Sequence, residues 1–504
     1  LLYIFFKYLS IGAPPTEETN KITNLSMNGL SFAADLCRIK LQTKYNTFDF
    51  WYCLHMAKAK KEKLLMGIQQ NLIHCDADTK AILVFLCEQS NSLYNCGVYW
   101  ARQIFFKTGR IISKFDAVYE IGKNIHAQAM PSVPAQQTLL SVSEAFKSFK
   151  GLRDLFFKGE LNQKPKTPSY QASGGMFKVS YPNTGAGRPT LVDGLIRFHL
   201  GLQINRWFKI KEFFLPLPIN LDFTKVYEFT ILPKNGEFYL ECSYEVQPIA
   251  VKLDVNQALS IDLGTSANLM ACIDTLGNSF LVDSRQAKSM NQLFNKRVAK
   301  HKEGKPQTYW NNFLSTLTRK RNHQMRDLVN KAARIAINHC LTHGIGTIVV
   351  GWNEGIKNGC TMGRKSNQQF VQMPLAKLKE RIRQLCEIYG IRYLETEEAN
   401  TSCASYLDGD SLPEHGQKPD GWKASGSRIK RGLYRSKNGN LINADLNGAA
   451  NILSKVARNL GIDLSRLGRR CLSTVGKIKI WATNSNLDRN NPRIGHAGEL
   501  VKCI

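Results

Sequence analysis

From residue 259 onward, apolar segments of strand length alternate with segments that have the longer spacing of helices. The predicted strands are residues 259–263, 270–274, 279–281, 347–350 and 391–396. The predicted helices are residues 286–343, 375–389 and 447–460. Short apolar runs bounded by turn residues are typical of strands, and apolar residues three and four positions apart are typical of helices. Antiparallel strands followed by strand–helix alternation match a ribonuclease H-like layout.

The residues before this region divide into a helical part and a strand-rich part. Between residues 79 and 158 the apolar residues recur at helical spacing, and residues 162–175 break the pattern with prolines and a pair of glycines. From residue 176 to 250, short aromatic and β-branched segments predict strands, and Asn235-Gly236 between two of them is a hairpin signal. We expect a helical lobe, a linker and a small antiparallel barrel or sandwich.

The ends of the chain differ from its middle. The first 65 residues lack sustained periodicity and the pattern becomes coherent at Met66, so we expect a weakly structured extension and a natural start near this methionine. Residues 466–504 predict a loosely docked basic tail. The fold class is α+β with several domains. Its predicted parts are the extension (1–65), the first part of the strand-rich domain (66–90), the helical lobe (91–165), the rest of the strand-rich domain (166–250), the α/β domain (251–460) and the tail (461–504).

The charge of the chain points to a polyanionic partner. The sequence has 68 lysines and arginines against 40 aspartates and glutamates, which gives a net charge of +28. An excess of this size favours nucleic acid as the partner over a merely basic soluble protein.

Cysteine usage and hydropathy favour a cytosolic protein without a membrane partner. The 13 cysteines are odd in number and include no Cys-x-x-Cys pair, which predicts reduced, mostly buried thiols. No apolar stretch reaches the ~18 residues of a membrane span. Residues 1–10 are apolar but contain Lys7 and precede no clear cleavage site, so we do not interpret them as a signal peptide.

Two aspartates follow strand-like segments and are candidates for one metal centre. Asp262 ends an apolar segment and precedes Gly264, beside which a backbone or a phosphate can approach closely. Asp445 is predicted to cap a helix that begins near Leu446. Either context alone is more often that of an ordinary turn or cap residue. Two-metal phosphodiester cleavage needs several carboxylates around ions ~3.5–4 Å apart, and Mg²⁺ prefers such oxygen ligands.

Several segments resemble one known family. They are Ile-Asp-Leu-Gly at residues 261–264, Asp-Leu-Asn-Gly-Ala-Ala-Asn-Ile from Asp445, and Ser-Gly-Ser-Arg-Ile-Lys-Arg-Gly-Leu-Tyr-Arg-Ser-Lys at residues 425–437. They resemble TnpB, the transposon-encoded RNA-guided nucleases related to the type V CRISPR effectors. Residues 88–103 resemble the first helix of that family, and residues 165–170 another of its segments. The resemblance spans about residues 66–460. It implies a RuvC-like nuclease domain, a β-barrel wedge domain, a helical recognition lobe and a guide RNA from the element's own end.

Two features depart from the family pattern. The middle glutamate of the family usually ends the strand that here ends in Gly351. Of the zinc-ribbon cysteines, only Cys403 remains in the corresponding loop, residues 399–440. Because one thiolate does not hold a tetrahedral zinc ion, we expect no structural zinc.

A relocated glutamate is our preferred replacement for the missing one. Glu398 ends the neighbouring predicted strand, and adjacent strands lie ~4.8 Å apart, so its carboxylate can reach an ion held by the other strand. A TnpB branch with a glutamate three residues before a Thr-Ser pair is similar. Glu354 and Glu397 are competitors, although strand alternation places Glu397 on the opposite face if the strand extends that far. An inactive site is the remaining alternative. The resemblance implies two Mg²⁺ ions bound by the catalytic residues Asp262, Glu398 and Asp445.

Basic and polar side chains in three places are candidates for nucleic-acid contacts. Those in the long helical region are Arg319, Lys320, Arg321 and Arg326, for which a solvated helix face is the alternative. Those in the loop before Asp445 are Arg428, Lys430, Arg431 and Arg435. Those on the first helix are Tyr94, Asn95, Arg102 and Gln103, which could read a short duplex motif beside the target. Packing of Tyr94 into its own core is the alternative there.

The expected function is RNA-guided cleavage of DNA in the cytoplasm of a prokaryote, at the nucleoid. The expected partners are a guide RNA and a double-stranded DNA target with a short adjacent motif. A nuclease-inactive RNA-guided DNA-binding protein and a type V CRISPR effector of the same fold are the alternatives. His339 and His343 have a metal-compatible spacing but no His-Glu-x-x-His pattern, and we assign them no metal role.

Overall fold

The computed structural model describes residues 64–185, 187–264, 267–353, 372–414 and 416–481. Most of the predicted N-terminal extension and the end of the predicted tail therefore lie outside the described residues. Within these ranges, no helix combines the length and the apolar composition needed to span a membrane.

The first strand, β1 (Met66–Leu72), is followed by four helices. Their bounds are α1 (Ala77–Thr108), α2 (Lys114–Ile121), α3 (Ile125–Gln128) and α4 (Ser132–Phe157). Helix α1 begins where Asp76 accepts a hydrogen bond from the N–H of Thr79, and it ends at Gly109 in a left-handed conformation. The helical region is thus confirmed, but the predicted boundary at residue 90 is wrong because it falls inside α1.

The strand-rich region consists of two antiparallel sheets that share a core with these helices. Its further elements are β2 (Val179–Pro182), β3 (Thr190–Val192), β4 (Leu195–His199), α5 (Leu202–Phe208), β5 (Glu212–Pro216), β6 (Val226–Lys234) and β7 (Glu237–Glu245). The strand orders are β1-β7-β6-β2 and β3-β4-β5. The predicted hairpin between β6 and β7 is confirmed, with φ of 53° at Asn235 and 76° at Gly236. Within residues 64–185 and 187–264 no strand pair joins the two sheets, so a closed barrel stays a prediction.

A six-stranded sheet forms the centre of the remaining chain. Its strands are β8 (Asp254–Leu263), β9 (Asn268–Asp274), β10 (Ser279–Asp283), β11 (Ile345–Gly351), β12 (Arg392–Thr396) and β16 (Gly476–Ile478), in the order β12-β11-β8-β9-β10-β16. Strands β8, β9 and β10 are antiparallel, whereas β11 runs parallel to both β8 and β12. The predicted layout of antiparallel strands followed by strand–helix alternation is confirmed.

Helices cover both faces of this sheet. One face carries α6 (Arg285–Lys302), α7 (Asn312–His343) and α8 (Leu375–Tyr389), and the other carries α9 (Ala444–Leu460). The side chains of β11 alternate accordingly, with Ile348 and Val350 in the first core and Val349 in the second. The predicted helical region at residues 286–343 consists of two helices, because residues 303–311 separate α6 from α7.

The end of the described chain packs against the sheet. A small sheet of β13 (Ser427–Lys430), β14 (Leu433–Arg435) and β15 (Leu441–Asn443) leads into α9, and α10 (Arg469–Ser473) and β16 follow it. Strand β16 pairs in parallel with β10, and the indole N–H of Trp481 donates to Asp327 at 2.6 Å. The prediction of a loosely docked tail is therefore wrong for residues 466–481.

Candidate active site

Asp262 lies near the carboxyl end of β8, between β9 and β11. Residue Val350 of β11 is paired with Ile261, so Gly351 and Asp262 reach the same edge of the sheet. Burial raises the pKa of Asp262 to about 8, and the negative charges of Glu398 and Asp445 add to this effect. The three carboxylates therefore share one electrostatic environment, although they come from three separate segments of the chain.

Asp445 lies in the first turn of α9. The helix is capped by Asn443, whose side-chain oxygen accepts from the N–H groups of Asp445 and Leu446. The prediction that Asp445 is the cap is therefore wrong by two residues, but the first turn still stabilises a carboxylate through the helix dipole. Oδ1 of Asp445 lies 3.3 Å from Nη2 of Arg428, which forms a partly exposed ion pair with it.

Asn268, at the start of β9, binds the other oxygen of Asp445. Its Nδ2 donates to Oδ2 of Asp445 at 2.8 Å. The residue is only 6% exposed, and its Oδ1 is buried without a hydrogen-bond partner among the described residues. Since the amide nitrogen and oxygen share one carbon, a free acceptor is held beside the carboxylates. A buried acceptor of this kind carries a cost unless it meets a donor or a cation.

The approach of α9 to β8 depends on a glycine. A Cβ atom at Gly448 would lie 2.6 Å from Oδ2 of Asp262, closer than a van der Waals contact allows. One residue further, the backbone oxygen of Ala449 accepts a hydrogen bond from Ser260 at 2.7 Å. Any larger residue at 448 would displace the Asp262 carboxylate or the helix.

Glu398 lies two residues beyond the end of β12, and its backbone is held on both sides. Its N–H donates to Oδ1 of Asn353 at 3.0 Å, and its carbonyl oxygen accepts from the hydroxyl of Thr401 at 2.9 Å. Burial raises the pKa of Glu398 to about 7, and the positive charge of Lys455 opposes this shift. Glu398 is therefore a half-buried carboxylate that favours a positive partner.

Gly351 provides the space for the Glu398 side chain. A Cβ atom at residue 351 would lie 2.8 Å from both Cγ and Oε1 of Glu398. The side chain of Glu398 thus lies against the end of β11, where the family pattern has its own glutamate. The charge of Glu398 acts on Asp262, and Gly351 contributes no side chain at this end of β11.

Two asparagines on α9 hold the loop that follows Glu398, and they have no role in the sequence-based prediction. Nδ2 of Asn447 donates to the carbonyl of Ala404 at 2.7 Å, and Nδ2 of Asn451 donates to that of Thr401 at 2.8 Å. Both side chains are almost fully buried. Their signal in the sequence is a pair of asparagines four residues apart on the otherwise apolar face of a predicted helix.

Glu354 and Glu397 are the alternatives to Glu398 as the third carboxylate. Glu354 lies outside the described residues. Since β12 ends at Thr396, the strand alternation expected for Glu397 and Glu398 does not extend to them. Burial lowers the pKa of Lys455, and the negative charges of Glu397 and Glu398 both oppose this shift. Both carboxylates therefore lie near this lysine.

The residue types at the site fit Mg²⁺, but the side chains are not drawn together around one point. Asp262, Glu398, Asp445 and the free amide oxygen of Asn268 are the hard oxygen donors that Mg²⁺ prefers. No group of three or more His, Cys, Asp or Glu side chains among the described residues is close enough to hold a metal ion directly. The raised pKa values of Asp262 and Glu398 favour a cation that would neutralise them.

A family model named OrfB_IS605 and described as a probable transposase matches residues 241–357. The matched segment contains β8, with Asp262, and β11, with Gly351. Residues 241–357 are therefore similar to this transposase family. No curated protein matches the sequence.

Three solved structures similar to this chain are a Cas12f1 complex, CRISPR-Cas_phi3 and C2c1. A Cas12f1–sgRNA–target DNA complex is 13% identical, with 75% of this chain and 83% of that chain covered and a TM-score of 0.51. The mini-RNA-guided endonuclease CRISPR-Cas_phi3 is 11% identical over 84% and 99% of the two chains, with a TM-score of 0.41. C2c1 of Alicyclobacillus acidoterrestris with single-guide RNA is 9% identical over 86% and 68%, with a TM-score of 0.32. The first supports a shared mixed α+β fold.

The loop between β12 and β13 is held by the carboxylates of Asp408 and Asp410. Cys403 is exposed. Oδ2 of Asp410 accepts from the N–H groups of Ser405 and Ser425, and Oδ2 of Asp408 accepts from the N–H of Lys437. These bonds connect the start of the loop to the strands that carry Arg428.

The basic residues before Asp445 lie on the exposed small sheet. Arg428, Lys430, Arg431 and Arg435 are all exposed. Arg428 forms an ion pair with Asp445. Burial lowers the pKa of Lys288 on α6, and the positive charge of Arg431 lowers it further. Of these four residues, Arg428 contacts a carboxylate of the candidate site.

The predicted base-reading residues on α1 mostly have partners within the chain. Tyr94 is 6% exposed and its ring stacks on Phe177 at 4.5 Å, so the packing alternative holds for this residue. Asn95 exchanges two hydrogen bonds with the backbone of Gln171, and Arg102 donates to the carbonyl of Pro168 at 2.9 Å. Gln103 is half-buried. Base reading by Tyr94 is not supported; for the other three it stays a prediction.

The four basic residues predicted on the long helix have different environments. Arg319 pairs with Glu237 of β7 at 2.6 Å, and Arg321 donates to Oδ1 of Asn291 and to the carbonyl of Gln372. Lys320 and Arg326 are exposed. Arg321 thus joins α7 to its neighbours, which the charge pattern alone does not indicate.

His339 has a structural role. Its Nε2 lies 2.7 Å from Oδ2 of Asp274, a fully buried carboxylate that also accepts two hydrogen bonds from Asn278. The ring of His343 lies 4.5 Å from that of His339.

Proposed function

We propose that this TnpB-like protein is an RNA-guided DNA endonuclease that cleaves its target by two-metal hydrolysis. The observation that carries the proposal is that the negative charges of Glu398 and Asp445 both act on buried Asp262 at one edge of the six-stranded sheet, where Gly351 leaves space for the Glu398 side chain. The partners are a guide RNA and double-stranded DNA with a short adjacent motif. The similar Cas12f1 structure is a complex with sgRNA and target DNA, which supports these partners.

The proposed chemistry is in-line attack of water on a phosphodiester. A bond forms from the water oxygen to phosphorus, the bond from phosphorus to the 3′ oxygen breaks, and the products carry a 5′-phosphate and a 3′-hydroxyl. When bound, two Mg²⁺ ions supply activation of the water and stabilisation of the leaving oxygen. Asp262, Glu398 and Asp445 would hold the ions.

The surrounding residues have supporting roles in this proposal. Asn268 fixes one oxygen of Asp445, while Asn447 and Asn451 hold the loop behind Glu398. Arg428 is 44% exposed beside Asp445 and offers a positive charge to a phosphate that enters the site. Positioning of this kind matters because groups that orient metal ligands affect metal affinity or activity by about 10–100-fold.

The test begins with the protein purified together with co-expressed RNA. The RNA is sequenced, and DNA matched to it is incubated with the complex and Mg²⁺. We expect cleavage by the parent and by Glu397→Gln, and none by Asp262→Asn or Glu398→Gln, while all four retain RNA and DNA binding. Cleavage by Glu398→Gln would refute the relocated glutamate.

A second candidate is RNA-guided DNA binding without cleavage. It is favoured by the ion pair of Arg428 with Asp445 and by the lack of a closed ligand cluster among the described residues. Guided binding by the parent without any cutting across Mg²⁺ and Mn²⁺ would support it. Sequencing of the bound RNA also separates a transposon origin, in which the RNA includes the end of the element, from a CRISPR repeat.

A further inference from the structure

The loop between β12 and β13, residues 397–426, joins two sides of the candidate site. Glu398 lies at its start, and β13 at its end carries Arg428, which forms the ion pair with Asp445. Long loops without helices or strands of their own are uncommon in compact domains and are often functional. Cys403 is the only cysteine of this loop, and one thiolate does not hold a tetrahedral zinc ion. Other contacts must therefore hold the loop in one conformation.

Two aspartates of the loop connect three segments that are separate in the sequence. Oδ2 of Asp410 accepts from the N–H of Ser405 at 2.7 Å and from the N–H of Ser425 at 3.0 Å. Oδ2 of Asp408 accepts from the hydroxyls of the same two serines, at 2.5 Å and 3.2 Å. It also accepts from the N–H of Lys437 at 2.8 Å, in the turn between β14 and β15. We refer to Asp408 and Asp410 with these three partners as the carboxylate clamp.

The carboxylate clamp depends on where two oxygen atoms lie. All five of its hydrogen bonds end on Oδ2 of one of the two aspartates. Hydrogen bonds to an ionised acceptor are roughly twice as strong as those between neutral groups. Ser405 is fully buried, so water has no access to the inner end of the clamp.

The inner end of the clamp is continuous with the segment of Glu398. Ser405 follows Ala404, whose carbonyl oxygen accepts from Asn447 and Asn451 of α9 at 2.7 Å and 2.8 Å. The hydroxyl of Thr401 donates to the carbonyl oxygen of Glu398 at 2.9 Å. The segment from Glu398 to Ser405 is therefore held between α9 and the clamp.

The outer end of the clamp is continuous with the strand of Arg428. Ser425 precedes Gly426, where a Cβ atom would lie 2.6 Å from Cε1 of Tyr434 and from the backbone oxygen of Arg435. The hydroxyl of the buried Tyr434 donates to the carbonyl of Cys403 at 2.8 Å. The start of β13 is thus packed closely against β14, and the clamp joins both strands to the segment of Glu398.

We propose that Asp408 and Asp410 are positioning residues of the candidate site, which hold the segment of Glu398 and the strand of Arg428 in one arrangement without a metal ion in the loop. The proposal rests on the proposed function in that Glu398 and Arg428 serve cleavage. The aspartates act through these two residues and touch neither the substrate nor Mg²⁺. The place of the accepting oxygen should therefore matter more than the charge.

The test measures amide hydrogen–deuterium exchange by mass spectrometry, on the full chain in EDTA without nucleic acid. Asp410→Glu keeps the charge but moves the oxygen by one methylene group, whereas Asp410→Asn keeps an oxygen acceptor and loses the charge. We expect faster exchange in Asp410→Glu and most of the parent's protection in Asp410→Asn. The faster exchange should extend to residues 398–404 and 427–435, whose N–H groups do not bind Asp410.

A second measurement connects the clamp to the site. Electron paramagnetic resonance of free Mn²⁺ should show about tenfold weaker binding in Asp410→Glu and the parent affinity in Asp410→Asn. The matched control is Asp420→Ala, which changes an exposed aspartate of the same loop and should leave exchange and affinity unaltered. Thermal melting checks that each variant folds, and Asp408→Asn and Asp408→Glu repeat the comparison from the other aspartate.

Several outcomes would overturn the proposal. They are faster exchange confined to Ser405 and Ser425, protection kept by Asp410→Glu but lost in Asp410→Asn, an equal effect of Asp420→Ala, or unaltered Mn²⁺ affinity despite faster exchange. Protection in the parent that EDTA removes and Zn²⁺ restores would also overturn it, because a metal ion would then hold the loop. Failure of the parent to cut DNA would instead refute the proposed function, and the exchange pattern would still decide whether the clamp exists.

Discussion

The side chain of Glu398 occupies the space that any side chain at position 351 would need. A Cβ atom at Gly351 would lie 2.8 Å from Cγ and Oε1 of Glu398 and 2.5 Å from Cδ1 of Ile452. The observed position of the Glu398 side chain and a side chain at the end of β11 therefore exclude each other. Gly351 is thus compatible with the carboxylate of Glu398 at this place, and by itself it gives no sign of an inactive site.

A reciprocal exchange tests this relationship. Gly351→Glu alone should destabilise the protein, since forcing extra atoms into a packed site costs about 1–3 kcal/mol. Adding Glu398→Gly should recover part of this loss, because the new side chain can enter the vacated space. Urea unfolding of the parent, the two single variants and the double variant gives the coupling free energy. Strictly additive effects would show that the two positions do not compete.

Much of the α/β domain could be predicted from the sequence because its periodicity is strong. The helix at residues 375–389 and the strand that ends at Gly351 agree with α8 and β11. The pairing of β10 with β16 could not be predicted, since residues 476–478 have almost no apolar pattern. Strands β3 to β5 were also missed, because they are short and about half-exposed.

The candidate site was predictable in its carboxylates but not in their supports. Asp262 and Asp445 follow recognisable segments, and Glu398 follows from the strand next to Gly351. Asn268 and Gly448 contact Asp445 and Asp262, which are far from them in the sequence, and no local sequence pattern predicts such contacts. Tyr94 was a candidate for reading bases but packs in the core. Its position in the sequence does not distinguish the two, because an aromatic residue on a helix has the same spacing in either case.

Gly448 should be intolerant of substitution. A Cβ atom there would lie 2.6 Å from Oδ2 of Asp262, so Gly448→Ala should shift that carboxylate and lower cleavage at least tenfold while RNA binding remains. The control is Gly151→Ala in α4, a helical glycine with no atom within 4 Å of the new methyl group. It should be neutral or slightly stabilising, as alanine favours helix. Single-turnover cleavage and thermal melting measure both, and equal activity in the two variants would contradict the argument.

Asn268 should contribute to metal binding through Asp445. Asn268→Ala removes the 2.8 Å hydrogen bond to Oδ2 and the buried free oxygen, so we expect about 10–100-fold weaker binding of Mn²⁺. Electron paramagnetic resonance of free Mn²⁺ reports this without any cleavage. Asn256→Ala, an exposed change at the other end of β8, is the control. Unaltered Mn²⁺ affinity in Asn268→Ala would limit this residue to packing.

Lys455 should determine the pH at which the cleavage rate falls on the acid side of its pH profile. Its charge opposes the burial that raises the pKa of Glu398 to about 7. Lys455→Met removes that charge, so the pKa of Glu398 should rise and the acid limb of the single-turnover rate should move to higher pH. Lys455→Arg should keep the limb near its position in the parent. A lower rate with an unmoved limb would mean that Lys455 acts only through packing.

Stability in EDTA should fall as pH rises from about 4 to about 8. Asp262 keeps its proton in the folded state up to about pH 8, whereas in the unfolded chain it loses the proton near its ordinary value of 3.8. Between these values the folded state binds more protons, so the free energy of unfolding decreases with pH. Mg²⁺ competes with that proton, and it should therefore raise the melting temperature more at pH 8 than at pH 6.

Asp262→Asn isolates the contribution of this carboxylate, because an amide of the same shape neither titrates nor repels Glu398 and Asp445. In EDTA the variant should melt at a higher temperature than the parent at pH 8 and at nearly the same temperature at pH 4, where the parent's Asp262 is protonated too. Its melting temperature should also respond less to Mg²⁺. If parent and variant kept parallel melting curves across this range, Asp262 would have an ordinary pKa, and its carboxylate would be in contact with water rather than buried.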